Sequence, residues 1–378
     1  MVDSLYLDSL EIRGYRALRK LRIERLARVN LVVGKNNVGK TSLLEALWLY
    51  AYRGSPQVIW SILESREEGA RRKGLFTSEA QDSTDRSLSV RNLLSGRADL
   101  MAELEPITIG PANGGTSSLS MAFGWWALQN VGSPMKSERR LIGPEDYSAT
   151  ENRWLGVTNK FGDQREVVHW LDRVDLVQHR LQSVPEGGSA PCVFVSANGL
   201  DISRIGQLWD SIALTNLEED VLKSLKLIAP DTEGVRLVLG PYRSEGQRVP
   251  IVKLAGTPEP VPLRSIGEGM NRLFGVALAL ANSNQGLLLI DEVESGIHYS
   301  VLPQLWRLIF ETAHRLNVQV FATTHSWDCI EAFQRAAEED KHEEGLLVRL
   351  ERRKGEMVAT EFDERRLGIA TREEIEVR

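Results

Sequence analysis

The run Gly34-Lys35-Asn36-Asn37-Val38-Gly39-Lys40-Thr41 has residue types and spacing suited to holding phosphate. Two glycines separated by four residues of a polar loop, then Lys and Thr, form the pattern of a phosphate-binding P-loop. The loop's N–H groups would point inward, and the start of the following helix adds positive potential. Lys40 is placed to reach the β- and γ-phosphates of a nucleoside triphosphate, and the Thr41 hydroxyl to bind Mg²⁺. Further along, Leu287-Leu288-Leu289-Ile290 ends in Asp291-Glu292. Asp291 would complete the Mg²⁺ shell, and Glu292 would polarise an attacking water as general base. Adjacent carboxylates point to opposite faces of a strand, so both serve one site only if Glu292 begins a turn. His325, after the apolar run 318–322, could reach a γ-phosphate oxygen or the water; a His after a strand is otherwise a structural residue. Ser265, Gly267 and Glu268 open a helix whose N-terminus suits an anion; the plainer alternative is a Ser265 N-cap.

These groups need a strand–loop–helix setting, and the sequence supplies it. Val29–Val33 is an apolar strand before the loop, and Ser42-Leu43-Leu44-Glu45-Ala46-Leu47-Trp48 continues as a helix. Runs at 286–290 and 318–322 read as central parallel strands, whose C-terminal ends are where open α/β sheets bind ligands. Residues 5–13 and 18–26 read as a strand pair dense in Arg13, Arg16, Arg19, Lys20, Arg22, Arg25 and Arg28. That pair is either a solvated sheet edge or a nucleic-acid or nucleotide contact. Helices are expected at 58–68, 167–183, 202–214 and 217–227, and one from 263 through 280. Short strand pieces are expected at 87–90, 104–109 and 191–195. Strand pairs are expected at 234–239 with 249–254 and at 346–350 with 356–360. Of Trp125 and Trp126, one is expected in and one out.

Composition sets outer limits. The chain is 42% hydrophobic and 26% charged, with formal charge −6, which is ordinary for a globular protein and not the global charge of a DNA-coating one. No apolar run is long enough for a bilayer, and Met1–Leu5 lacks the layout of a secretory signal. Cys192 and Cys329 are the only cysteines, which suits a reducing cytoplasm. A cytoplasmic protein with no membrane role is expected. No heptad run of the coiled-coil kind interrupts the chain.

The ordered set of P-loop, Ser-x-Gly-x-Gly, apolar run with Asp-Glu, and Thr-Thr-His resembles ATP-binding-cassette ATPases of the SMC/RecF/OLD-like group. The loop form G-K-N-N-x-G-K-T with Ser-Leu-Leu-Glu-Ala-Leu, and Leu10-Glu11-Ile12-Arg13-Gly14-Tyr15-Arg16, are similar to bacterial OLD-like AAA ATPases. The resemblance covers residues 1–55 and about 190–378. It implies an α/β P-loop ABC-type head with a mostly parallel central sheet, an N-terminal β-lobe and a β-rich/helical insertion. The implied divisions are 1–70 and 191–334 for the two parts of the head, 71–190 for the insertion and 335–378 for a terminal hairpin and tail.

The resemblance also implies that ATP with Mg²⁺ is sandwiched between two chains facing head to tail. Residues 34–42, including Ser42, with Asp291, Glu292 and His325 would come from one chain. Ser265, Gly267 and Glu268 would meet the γ-phosphate held by the other. Glu294-Ser295-Gly296 would lie in the loop that signals across the dimer. Ser196 or Asn198 occupies the region where relatives carry a Mg²⁺-sensing Gln, and Arg16 matches a basic residue that in some relatives nears the nucleotide. OLD proteins carry a C-terminal Toprim nuclease domain, and the residues after His325 do not show its strand-ended carboxylates. The expectation is an ATPase whose homodimerisation regulates a DNA-processing or anti-phage complex, with a Toprim-like nuclease as a separate partner. The alternatives are a RecF-like repair ATPase acting directly on DNA and a nucleotide-gated scaffold with negligible turnover.

Overall fold

The computed structural model describes residues 5–68, 89–100, 105–114, 117–131, 136–143, 153–171, 190–240, 248–339, 345–363 and 366–368. A six-stranded sheet forms its centre. It contains β3 (Val29–Val33), β9 (Cys192–Val195), β13 (Leu287–Ile290), β14 (Gln319–Thr323), β15 (Gly345–Arg353) and β16 (Glu356–Asp363). The order is β16-β15-β3-β14-β13-β9. All neighbours pair parallel except β15 with β16. Every residue of β3, β13 and β14 is buried, which explains why these strands read as near-continuous apolar runs.

Two cores form because alternate residues of each strand face opposite sides. Leu288 and Ile290 pack with helices α3 (Ile202–Ile212), α4 (Asn216–Leu225), α6 (Glu268–Ala281), α7 (Leu302–Arg315) and α8 (Trp327–Glu339). Leu287 and Leu289 face the other way, toward α1 (Lys40–Ala51), α2 (Pro56–Ser65) and a second sheet. Helix α1 is buried on nearly all sides, as befits a helix enclosed between two sheets.

The second sheet is antiparallel. It runs β2 (Leu18–Ile23), β1 (Leu10–Tyr15), β4 (Ile107–Gly110), β5 (Leu119–Val131), β7 (Arg153–Phe161) and β8 (Val167–Trp170), with β6 (Lys136–Leu141) pairing β5. The strands of the expected insertion, 71–190, are therefore joined to the N-terminal hairpin by main-chain bonds through β1 and β4. A third sheet, β10 (Thr232–Leu239), β11 (Arg248–Leu254) and β12 (Val261–Pro262), leads into the short α5 (Leu263–Ile266) and then α6.

Several local expectations change. Residues 167–170 are strand, not helix: Val167 and Val168 pair with Asn159 and Thr158, and β-branched residues suit that pleated setting. Residues 172–183 of that expected helix lie outside the described set. Residues 89–91 form a helical turn rather than a strand. The helix expected to run from 263 breaks at Gly267, with φ 149° and ψ 159°. Ser265 consequently sits inside α5 and is not the cap of α6; Gly267 is. The terminal hairpin is integral to the sheet, because β15 lies beside the P-loop strand β3. Trp125 is buried and Trp126 half-buried, with its ring edge-on to Trp170.

The arginine-rich hairpin is partly neutralised from within. Arg13 pairs with Glu11 and Arg22 with Glu24. Arg28 is buried and donates to Asn317. Arg16 is drawn into a cluster with Glu45 and Glu68, at 3.1 and 2.8 Å. Tyr15 and Arg66 also bond Glu45 there. That cluster ties the P-loop helix to the hairpin and α2.

Candidate active site

The loop between β3 and α1 is shaped by backbone conformations that few residues adopt. Gly34 has φ 146°, Asn37 62° and Gly39 100°. At Gly34 glycine is needed twice over: its φ is left-handed, and a Cβ would lie 2.4 Å from the Leu350 carbonyl oxygen of β15. Gly34→Ala is expected to destabilise the protein by about 1–3 kcal/mol through overpacking. A lowered midpoint in denaturant unfolding measures it, and an unchanged midpoint would show that the loop yields without cost.

Helix α1 starts with Gly39 as cap, with no side-chain cap bond and no acidic residue in its first turn. Its first N–H groups and its dipole are thus available to an anion. Lys40 Nζ donates to the carbonyls of Gly34 and Lys35, at 2.7 and 3.2 Å. The side chain is folded over the loop that would hold phosphate. Burial pushes its pKa below the ordinary value, while Asp291, Glu292 and Glu294 act in the opposite sense. Lys35, Asn36 and Asn37 are exposed at the rim, Val38 is half-buried, and Ser42 is buried.

Parallel pairing brings the second-half groups to the same sheet end. Thr41 Oγ1 donates to Asp291 Oδ2 at 3.0 Å. Thr323 Oγ1, at the end of β14, donates to Asp291 Oδ1 at 2.6 Å and accepts the Glu292 N–H at 2.8 Å. Glu292 has φ 48°. It lies past the end of β13, so the chain turns where both carboxylates can serve one site. The Thr41 hydroxyl and the Asp291 carboxylate are hard oxygen donors, the class that Mg²⁺ takes. These two residues fit the ion. Lys40, the N–H groups of the loop and α1 fit triphosphate.

His325 Nδ1 lies 3.5 Å from Glu292 Oε1 and 3.4 Å from Glu294 Oε1. The backbone N–H of His325 donates to Glu294 Oε1. The imidazole is thus set beside the general-base candidate by a second carboxylate, whose other oxygen, Oε2, is buried without a hydrogen-bond partner. Ser196, after β9, turns back to bond the Gly199 carbonyl, and Asn198 is exposed.

Ser265 and Glu268 are exposed and Gly267 is half-buried, at the break between α5 and α6. Glu268 pairs with Arg264 at 3.6 Å. No described hydrogen bond links this segment to the P-loop of its own chain.

Sequence reasoning missed Arg272 and the contacts of Thr323 and Glu294, the last of which it placed only in the loop that signals across the dimer. Thr323 and Glu294 stand within the quoted runs, but nothing in their types marked them as partners of Asp291 and His325. Arg272 had a readable signal: it is a lone cation within the apolar stretch of α6, and it is 4% exposed. Its guanidinium donates to the Asp291 carbonyl at 2.6 Å and the Glu292 carbonyl at 2.9 Å, and also to the Ser196 carbonyl. Burial pushes its pKa down to about 10, against the pull of Asp291, Glu294 and Glu292.

Comparison with known proteins matches two segments of the chain to ATPase families. Residues 5–60 match an AAA ATPase domain. Residues 245–328 match an AAA domain described as "putative AbiEii toxin, Type IV TA system". Over 358 residues the chain is 22% identical to an "ATP/GTP phosphatase" of Helicobacter pylori, covering 88% of this chain and 89% of that protein. A 45-residue stretch is 51% identical to the "DNA replication and repair protein RecF" of Thioalkalivibrio sulfidiphilus, which is 12% of each chain.

Among solved structures, an Smc head bound to the C-winged helix domain of ScpA aligns with TM-score 0.47 and 14% identity. It covers 95% of this chain and 98% of that one. The SMC head domain from Thermotoga maritima aligns with TM-score 0.42 and 13% identity, over 94% and 99%. Among the described residues no helix is long and apolar enough to cross a membrane. The chain is similar to AAA-family ATPases over the two segments that carry its P-loop and its Ser265, Asp291-Glu292 and His325 groups.

Proposed function

We propose that this protein is a Mg²⁺-dependent ATPase in which two copies, facing head to tail, enclose ATP. The observation that carries the reading is the convergence of Thr41, Asp291, Thr323 and Glu292 beside the P-loop lysine. Lys40 and the N–H groups of α1 bind the triphosphate, and Thr41 and Asp291 hold the Mg²⁺. The ion, when bound, neutralises charge developing on the phosphate oxygens. Glu292 takes a proton from the attacking water, and the products are ADP and phosphate. His325 lies close enough to Glu292 to share that proton or to donate to a γ-phosphate oxygen.

The dimer is supported by the exposure of Ser265 and Glu268 together with the half-exposed Gly267 at a helix start. A helix N-terminus with no described bond to its own P-loop, its first-turn Glu268 paired with Arg264, is suited to another chain's phosphate. Ser265→Arg is therefore expected to abolish ATP-linked dimerisation and lower turnover at least tenfold, with ATP affinity of the single chain kept. Mixing it with Lys40→Ala, itself inactive, should restore turnover, because the mixed dimer has one site with both halves intact. Wild-type turnover in Ser265→Arg would contradict the shared site.

The match to an AbiEii-type AAA domain and the RecF stretch both suit a switch in a defence or DNA-processing complex, with a separate Toprim-like nuclease as its effector. Direct action on DNA is a second reading. It draws on Arg19, Lys20, Arg22 and Arg25, exposed cations of the hairpin, and it would show as a salt-sensitive DNA complex that weakens when Arg22 and Arg25 are neutralised.

A further inference from the structure

Glu292 is held in its turn from two sides. Its φ of 48° is a conformation that a non-glycine residue keeps only when its surroundings impose it. From β14, Thr323 Oγ1 accepts the Glu292 N–H. From α6, Arg272 donates to the Glu292 carbonyl and, with the same Nη2, to that of Asp291. The other terminal nitrogen, Nη1, reaches the Ser196 carbonyl at the end of β9. One side chain thus joins three peptide groups from two strand ends.

The helix that carries Arg272 begins at the half-buried Gly267 and the exposed Glu268. Its first turn also lies directly on the chain after Glu292. A Cβ on Gly269 would come within 2.8 Å of the Gly296 carbonyl oxygen. A shift of α6 that follows engagement of its N-terminus would therefore be transmitted to Glu292 through a buried, fork-shaped cation. Lysine, a point charge on a flexible stem, cannot hold three carbonyls in this way.

We infer that Arg272 is a positioning residue that sets the Glu292 carboxylate for catalysis according to the place of α6, and so couples the Ser265–Glu268 segment to hydrolysis. This rests on the ATPase reading above. Its substrate is the same ATP, and its partner surface is the second copy of the chain.

The test compares wild type, Arg272→Lys and Arg272→Gln for ATP affinity, kcat and thermal unfolding. Both variants are expected to bind ATP within threefold of wild type and to lose at least tenfold in kcat. The decisive readout is the double variant Arg272→Lys/Glu292→Gln. If Arg272 acts through Glu292, adding Arg272→Lys to Glu292→Gln lowers the residual rate by less than twofold. A tenfold further loss would overturn the inference, as would wild-type kcat in Arg272→Lys. Should Arg272→Lys unfold, Arg272→Gln carries the same comparison, since its amide still donates to one carbonyl. Unfolding of both would assign Arg272 to stability alone and overturn the inference. Absence of ATP turnover in the wild-type protein would instead remove the ATPase reading on which it rests.

Discussion

Glu292→Gln is expected to lower ATP turnover by about 10²–10⁴-fold, the usual worth of a general base, and to leave ATP affinity nearly unchanged. The amide matches the carboxylate in size and keeps the backbone bonds of Glu292 to Thr323 and Arg272. Thr41, Asp291 and Lys40, which bind rather than react, are untouched. The loss should therefore fall on kcat and not on KM, the mark of an interaction made only in the transition state. Phosphate release with excess ATP, beside an equilibrium binding measurement, separates the two. Turnover at the wild-type rate would remove Glu292 from the mechanism. A parallel loss of affinity would mean that it helps to bind the nucleotide.

Lys40→Ala should have the larger effect on binding. The ammonium is buried beneath the loop, within the influence of three carboxylates, and among the described residues it bonds the Gly34 and Lys35 carbonyls alone. A triphosphate arriving there gains a charge-assisted partner in a partly desolvated site. Leaving buried charge without its partner costs about 3–5 kcal/mol, which corresponds to a Kd raised by roughly 10² to 4 × 10³-fold. The fold should survive, because Ala suits the first turn of a helix. Titration with a fluorescent ATP analogue measures the shift. A Kd within threefold of wild type would show that N–H groups alone hold the phosphates.

The site was legible where chemistry is written in contiguous residues. The glycine spacing from 34 to 39, and the apolar run ending at Asp291-Glu292, each specify a local shape as well as a reactive group. The parallel order β15-β3-β14-β13-β9 then brings their ends together. What local pattern could not supply was the partner at a distance. Thr323 bonds Asp291 and Glu292 only because β14 lies beside β13. Arg272 meets their carbonyls because α6 crosses under that end.

Tertiary context overrode pattern at 167–170. There, the pairing with β7 decided the conformation over a helical reading of the wider stretch. The break at Gly267 was equally hidden: an apolar run resuming at Met270 hides an interruption, while the exposed groups before it depend on that interruption. The role of β15 was also out of reach, since nothing in 345–353 says that it will adjoin β3. Yet its Leu350 carbonyl is what confines Gly34.

The measurement that bears most directly on the shared site is the solution mass of Glu292→Gln with and without Mg·ATP. This variant retains every binding group and lacks the base, so ATP should persist and hold the pair together. The account predicts one chain without nucleotide and two with it, and no such shift in the Glu292→Gln/Lys40→Ala double variant. A mass of one chain at saturating Mg·ATP would contradict the head-to-tail site.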